Sequence, residues 1–193
     1  EGFEKPPLPM PGRAGSRDSA RQDFEVIEGG PDHDIVDHVD SSSDAASALA
    51  EMKRVDHAFN VKSFLEGARG AYEMILMGFE KGNIREIAPY LAKDVHDSFA
   101  GVVAEREQQG LRIDASFIGV RDVKLVDARF DRATSEAEIT VRFVGELTSV
   151  VRNLNGEVVE GDPNEIKRQR DVWTFARTMG TDDPNWQLVA TGV

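Results

Sequence analysis

Few side chains in this chain have the type and placement for acid–base chemistry: His96 with its neighbour Asp97, Asp114 and Asp171. One buried carboxylate or histidine in an apolar pocket is enough for a general base of the isomerase or dehydratase kind. Each also has a plainer reading. His96 and Asp97 fall at the start of an expected helix, where capping accounts for them, and Asp114 alternates outward along an expected strand. A pocket-buried carboxylate with a strongly raised pKa would mark the catalytic alternative. The chain has no cysteine, which removes disulfides, thiolate metal sites and cysteine nucleophiles. No spacing assembles a catalytic constellation, so no catalytic residue, metal ligand or cofactor is expected. The other chemistry on offer is cationic. Lys53-Arg54 and Lys167-Arg168-Gln169-Arg170 could meet an acidic lipid or protein surface, although a short charge run is ordinarily a solvated face.

The bulk charge limits the partners. A net charge of −12 over 193 residues argues against non-specific nucleic-acid binding, which needs a basic surface to release counterions. It also disfavours adsorption to anionic lipid by charge alone. Residues 1–40 hold 10 acidic and 4 basic side chains with five prolines, so half the net charge lies in a fifth of the chain. That stretch reads as an acidic, disordered tail or linker, with Phe24, Val26 and Ile27 as a small apolar island. The domain is expected over 41–193. No run of about 18 apolar residues could form a transmembrane helix.

The elements that would position these side chains come in two blocks. Ser41-Ser42-Ser43 can cap a helix over Asp44–Val55, where Ala45, Ala48, Leu49 and Met52 make a thin apolar stripe. Such a helix could pack on the domain or lie on a membrane or partner. The strongest helix spans 61–81, with Asn60 and Gly82 as its caps. Val61, Phe64, Leu65, Ala68, Tyr72, Ile75, Leu76 and Phe79 keep the i, i+3, i+4, i+7 spacing. Gly67, Gly70, Ala71, Met74 and Gly78 form a second line. Glycine inside a helix costs about 1 kcal/mol relative to alanine, so this line suggests a backbone in close approach, or a groove for a ligand or partner helix. A short helix over 83–91 and a third over 95–109, capped by Asp94 and ended by Gly110, complete the block.

From Arg112 the period becomes two. One strand runs to Phe130 with a bend near Arg121-Asp122. A second follows from Ala137 to Leu147 and beyond. After turns at Asn155-Gly156 and Asp162-Pro163, a hairpin over 171–189 carries both tryptophans, Trp173 and Trp186. Strands this long cannot stay flat, so the sheet should curl around the long helix. Phe117, Phe143, Trp173, Phe175 and Trp186 would then face Tyr72, Leu76 and Phe79 across an apolar hollow. The expected fold is α+β: N-terminal helices packed on a curved antiparallel sheet, as a cone.

Several blocks resemble one family. They are Tyr72-Glu73-Met74-Ile75, Val141-Arg142-Phe143-Val144-Gly145-Glu146-Leu147, Glu157-Val158-Val159-Glu160-Gly161-Asp162-Pro163-Asn164, Asp171-Val172-Trp173-Thr174-Phe175-Ala176-Arg177 and Asp183-Pro184-Asn185-Trp186-Gln187-Leu188. Across residues 42–193 the chain is similar to the Tim forty-four-like domain, the C-terminal domain of the tethering subunit of the mitochondrial inner-membrane import motor. The resemblance implies a nuclear-transport-factor-two-like (cystatin-like) fold with an apolar pocket. It implies peripheral attachment to an inner membrane and affinity for cardiolipin-like phospholipid. In mitochondria the family tethers the matrix chaperone of the seventy-kilodalton heat-shock class to the channel. That contact belongs to a basic N-terminal half this chain lacks and is not carried over. The lack makes the chain resemble the bacterial form, on the cytoplasmic face of the inner membrane and held by an N-terminal anchor missing here.

The function expected from this resemblance is a non-enzymatic, membrane-associated adaptor that binds lipid or a hydrophobic segment of a membrane or translocated protein. The expected lipid or ligand contacts are Lys53 and Arg54 on the helix Asp44–Val55, and an apolar mouth near Tyr72, Phe79, Phe143 and Trp173. For these aromatics, plain core packing is the competing reading. The alternatives are a protein-interaction module, including a dimer through the glycine line or a strand edge, and a pocket enzyme.

Overall fold

The computed structural model of the chain describes residues 30–192. Pro31–Val193 forms one compact unit. The tail reading therefore does not extend over 31–40. This stretch contains the helix α1 (His33–Val36), and Ile35 is buried in the core. Its expected acidity is put to structural use. The Asp34 carboxylate accepts the Val61 and Lys62 amides at 2.8 and 3.0 Å, and Lys53 Nζ lies 2.7 Å from it. Phe24, Val26 and Ile27 lie outside the described residues.

Ser43 caps α2 (Asp44–Val55) by accepting the Ala46 amide. This helix is part of the domain: Leu49 and Met52 are fully buried and pack with α2 against the first strand. Asn60 caps α3 (Val61–Glu80) by accepting the Ser63 amide at 2.9 Å. A short α4 (Ile84–Ile87) and a 3₁₀ turn (Ala88–Tyr90) lead to α5 (Lys93–Gln108), which Gly110 ends at φ 66. The cap expected at Asp94 is not formed. The helix starts earlier because the Ala92 amide is fixed by the Leu188 carbonyl at 2.9 Å, a contact remote in sequence.

Five antiparallel strands follow: β1 (Arg112–Asp131), β2 (Glu136–Arg152), β3 (Val158–Glu160), β4 (Lys167–Thr178) and β5 (Gln187–Gly192). Their order is β1-β2-β4-β5, with β3 beside the end of β2. The edge strand β1 has three register shifts, at Phe117/Gly119, Val120/Asp122 and Leu125/Asp127; the second is the bend expected near Arg121. Bulges of this kind bend a strand and blunt its free edge. On β2, Ala137, Ile139, Val141 and Phe143 are fully buried beneath the helices, while Glu138, Thr140 and Arg142 point away.

The glycine line on α3 divides. A Cβ on Gly78 would fall 2.5 Å from Ile87 Cγ2, so α4 does press against it. Gly67 and Gly70 face open space instead, and no backbone approaches them. Arg106 closes the other end of α3. It donates to the Phe79 carbonyl at 2.8 Å and sits over the Phe79 ring at 4.9 Å, where a cation suits a helix C-terminus.

Asp34 gives a first prediction. Burial alone would raise its carboxyl pKa. The Lys53 ammonium and the amides of Val61 and Lys62 together outweigh burial and hold it below the ordinary 3.8. A depressed folded-state pKa adds stability above the unfolded value, and that stability is lost as pH falls through the folded one. Asp34→Ala should cost about 1–2 kcal/mol near pH 7, as for a lost helix cap with a charged partner. Chemical denaturation at pH 7 and pH 3 checks it: the gap between variant and parent should shrink at the lower pH.

Candidate functional site

Small residues on the first half of α3 open a hollow beside it. Phe64, Ala68 and Ile75 are buried, but Gly67 and Ala71 leave space that larger side chains would fill. Phe59, in the turn before α3, closes one side. The loop between β4 and β5 closes the other, turning at Gly180 with φ 74 and returning through Pro184, Asn185 and Trp186. The result is an open groove of about 440 Å³ with Phe175 in its floor and Tyr90 at its rim. Its aromatics form one connected set. The Phe64 and Trp186 rings meet edge to face at 4.8 Å, and Phe59 lies 6.1 Å from Trp186.

Two charged side chains line this groove, and they neutralise each other. Arg177 Nη1 lies 2.9 Å from Asp56 Oδ2, with the side chains 9% and 17% exposed. Arg177 Nε also donates to the Asp183 carbonyl at 3.0 Å. The adjoining loop carries the exposed carboxylates of Asp182 and Asp183 just before the lining residues Pro184 and Asn185. The whole unit is acidic too: residues 1–30 carry six acidic and four basic side chains, which leaves −10 of the −12 to residues 31–193.

The aromatics expected at a pocket mouth are elsewhere. Tyr72 and Phe143 are fully buried, stacked at 4.4 Å and 8°, and Trp173 is 3% exposed against them. These three form the core of the sheet and offer no surface. Phe79 is half-buried and packs on Phe99 of α5 at 4.6 Å. Trp186 does not join Tyr72 but closes the groove at the opposite end of α3. The two cations on α2 also separate. Lys53 is held between Asp32 and Asp34 at 2.8 and 2.7 Å, whereas Arg54 is exposed. Removing 41–55 would therefore strip buried core from the domain, and could not test a lipid contact alone.

The acid–base candidates do not converge. Asp97 pairs with Lys93 on the exposed side of α5 and lies beside His96. Asp114 bridges Arg112 and Arg152 on the surface. Asp171 is buried, but Oδ2 already accepts from the Tyr72 hydroxyl at 2.7 Å and from Gln169 Nε2 at 3.0 Å. In the basic run, Arg168 is taken by Glu146. No buried side-chain nitrogen or oxygen among the described residues lacks a partner, and no cluster there has the makings of a metal site. Reading the sequence missed Phe59, Phe64, Trp186 and Arg177 as neighbours. The one pointer was the small-residue line on α3, because a helix face of Gly and Ala must leave either close packing or a hollow.

Curated relatives are similar over most of this chain. The human mitochondrial import inner membrane translocase subunit TIM44 is 25% identical over 160 residues, 81% of this chain and 35% of that protein. The rat subunit is 23% identical over the same share, and the probable Caenorhabditis elegans subunit tin-44 is 20% identical over 76% of the chain. The chain thus spans about a third of the length of these relatives. The crystal structure of the intermembrane space region of chloroplast protein ARC6 is similar only loosely, at a TM-score of 0.40 and 12% identity, over 78% of this chain and 96% of that one. Among the described residues no helix is long and apolar enough to cross a membrane. Residues 45–193 match the Tim44-like domain, and the chain belongs to that family.

Proposed function

We propose that this domain is a non-enzymatic adaptor of protein translocation at an inner membrane, and that its aromatic groove holds an apolar protein segment flanked by basic residues. The fold reading that accompanies this is the nuclear-transport-factor-two-like cone, with the groove at its open end. The observation that carries the proposal is the groove itself: connected aromatic walls and a charged pair that is internally neutralised. Apolar walls with a few placed polar groups suit a ligand, and the exposed Asp182 and Asp183 of the adjoining loop, with the −10 carried by residues 31–193, favour a cationic flank. Curated family members are named as translocase subunits, which agrees with a partner of this kind. Binding to cardiolipin-like lipid is the second reading. It is supported by the apolar walls and opposed by the −10 carried by residues 31–193.

Titration of the full chain with an amphipathic peptide of apolar face and arginine flanks tests the first reading. Glutamate flanks provide the control, and flotation with liposomes with and without cardiolipin tests the second. Binding of the basic peptide that weakens with salt supports the groove as described. Cardiolipin-dependent flotation without peptide binding would move the assignment to lipid. Trp186→Ala should weaken the basic peptide about tenfold or more, as a central aromatic contact does, with far-ultraviolet circular dichroism showing that the variant is folded.

A further inference from the structure

We propose that Arg177 is the positioning residue of the groove, the polar joint that holds the spacing of its two walls beside their aromatic contacts. Each wall is braced by its own aspartate. Asp56 Oδ1 accepts the Ala58 amide at 3.0 Å and its carbonyl accepts the Phe59 amide at 3.1 Å, which sets the turn that presents Phe59. Asp183 Oδ1 accepts the Asn185 amide at 2.9 Å, which sets the turn that presents Trp186. These turns are local and say nothing about each other. Arg177 joins them: Nη1 meets the Asp56 carboxylate and Nε meets the Asp183 carbonyl.

Its place on β4 makes this joint firm. Arg177 pairs in register with the fully buried Ala137 of β2, so its stem rises from the rigid sheet and only its head reaches the loops. A planar guanidinium can serve two acceptors from two nitrogens at fixed angles, whereas an ammonium is a single flexible point. Arg177→Lys therefore keeps the charge and the Asp56 pair but releases the Asp183 wall. Asp56→Asn keeps the size and the Asp183 contact but weakens the other wall. The groove then widens at Trp186 while the sheet is unchanged.

The consequence for affinity rests on the groove being a binding site; the joint itself does not, and the experiment separates the two. Acrylamide quenching of tryptophan fluorescence in the full chain reads the joint without any ligand. Trp173 is 3% exposed, so the quenchable signal comes from Trp186. Arg177→Lys and Asp56→Asn should each raise the quenching constant about twofold, with far-ultraviolet circular dichroism unchanged and hydrogen exchange in β2 as slow as in the parent. Arg177→Lys should also bind the arginine-flanked peptide about three- to tenfold more weakly. Unchanged quenching in both variants would overturn the proposal. So would exchange that rises throughout β2, because Arg177 would then serve general stability. If quenching rises but the parent binds no peptide, the joint stands and the groove's assignment as a peptide site fails.

Discussion

Phe143→Ala should lower the unfolding free energy of the domain by about 3–5 kcal/mol, the range for losing a buried phenyl ring. Phe143 is fully buried in the middle of β2. Its ring stacks on Tyr72 at 4.4 Å and meets Trp173 and Phe175 edge to face at 5.8 and 6.4 Å. Tyr72 comes from α3 and the tryptophan from β4, so truncation opens a cavity where helix and sheet meet and no single element can collapse into it. A loss of this size is a large part of the stability of an ordinary domain. Urea denaturation of parent and variant measures it. The result also separates the two roles considered for this aromatic. A ring at a pocket mouth would leave the midpoint nearly unchanged and reduce ligand binding alone.

Asp171→Ala should cost about 2–4 kcal/mol, because it orphans the buried Tyr72 hydroxyl and takes a partner from the half-buried Gln169 amide. The Tyr72 hydroxyl and Gln169 Nε2 both point at Asp171 Oδ2. Burial, and then the carboxylate, push the Tyr72 hydroxyl well above its ordinary pKa of 10.0, so it stays a donor at any physiological pH. A Cβ on Gly145 would lie 3.0 Å from that hydroxyl oxygen, so glycine there makes room for the pair. Tyr72→Phe removes one donor and leaves the carboxylate with Gln169, and should cost less, about 1–2 kcal/mol. Denaturation of both single variants and the double variant measures the coupling. If the two losses simply add, the pair is not the unit described here. An Asp171→Ala variant as stable as the parent would return Asp171 to the list of candidate general bases.

Much of the fold was legible because it rests on local rules. The helix Asp44–Val55 begins after a serine cap and ends after its basic turn, as its sequence spells out. The switch from a period near 3.6 to a period of two at Arg112 marks where helices give way to sheet. The bend near Arg121 was readable because apolar and polar positions fall out of step there. The start of α5 was not readable, since the Leu188 carbonyl fixes it from the last strand. Nor was the inclusion of 31–40: its acidity resembles a solvated tail until Asp34 is seen against the α3 amides.

The sequence by itself determined the α+β order, the family and which residues are apolar enough to form a core, because periodicity and composition are properties of the chain alone. Tertiary structure decided which aromatics are core and which line a groove. Tyr72, Phe143 and Trp173 differ from Phe59, Phe64 and Trp186 only in what the packing of α3 places against them. Tertiary structure alone also brought Asp56 to Arg177 and Asp183, which neighbour each other along the chain. An ion pair between segments more than a hundred residues apart leaves no local pattern, and whether a small-residue helix face is filled or left open depends on which element arrives to cover it.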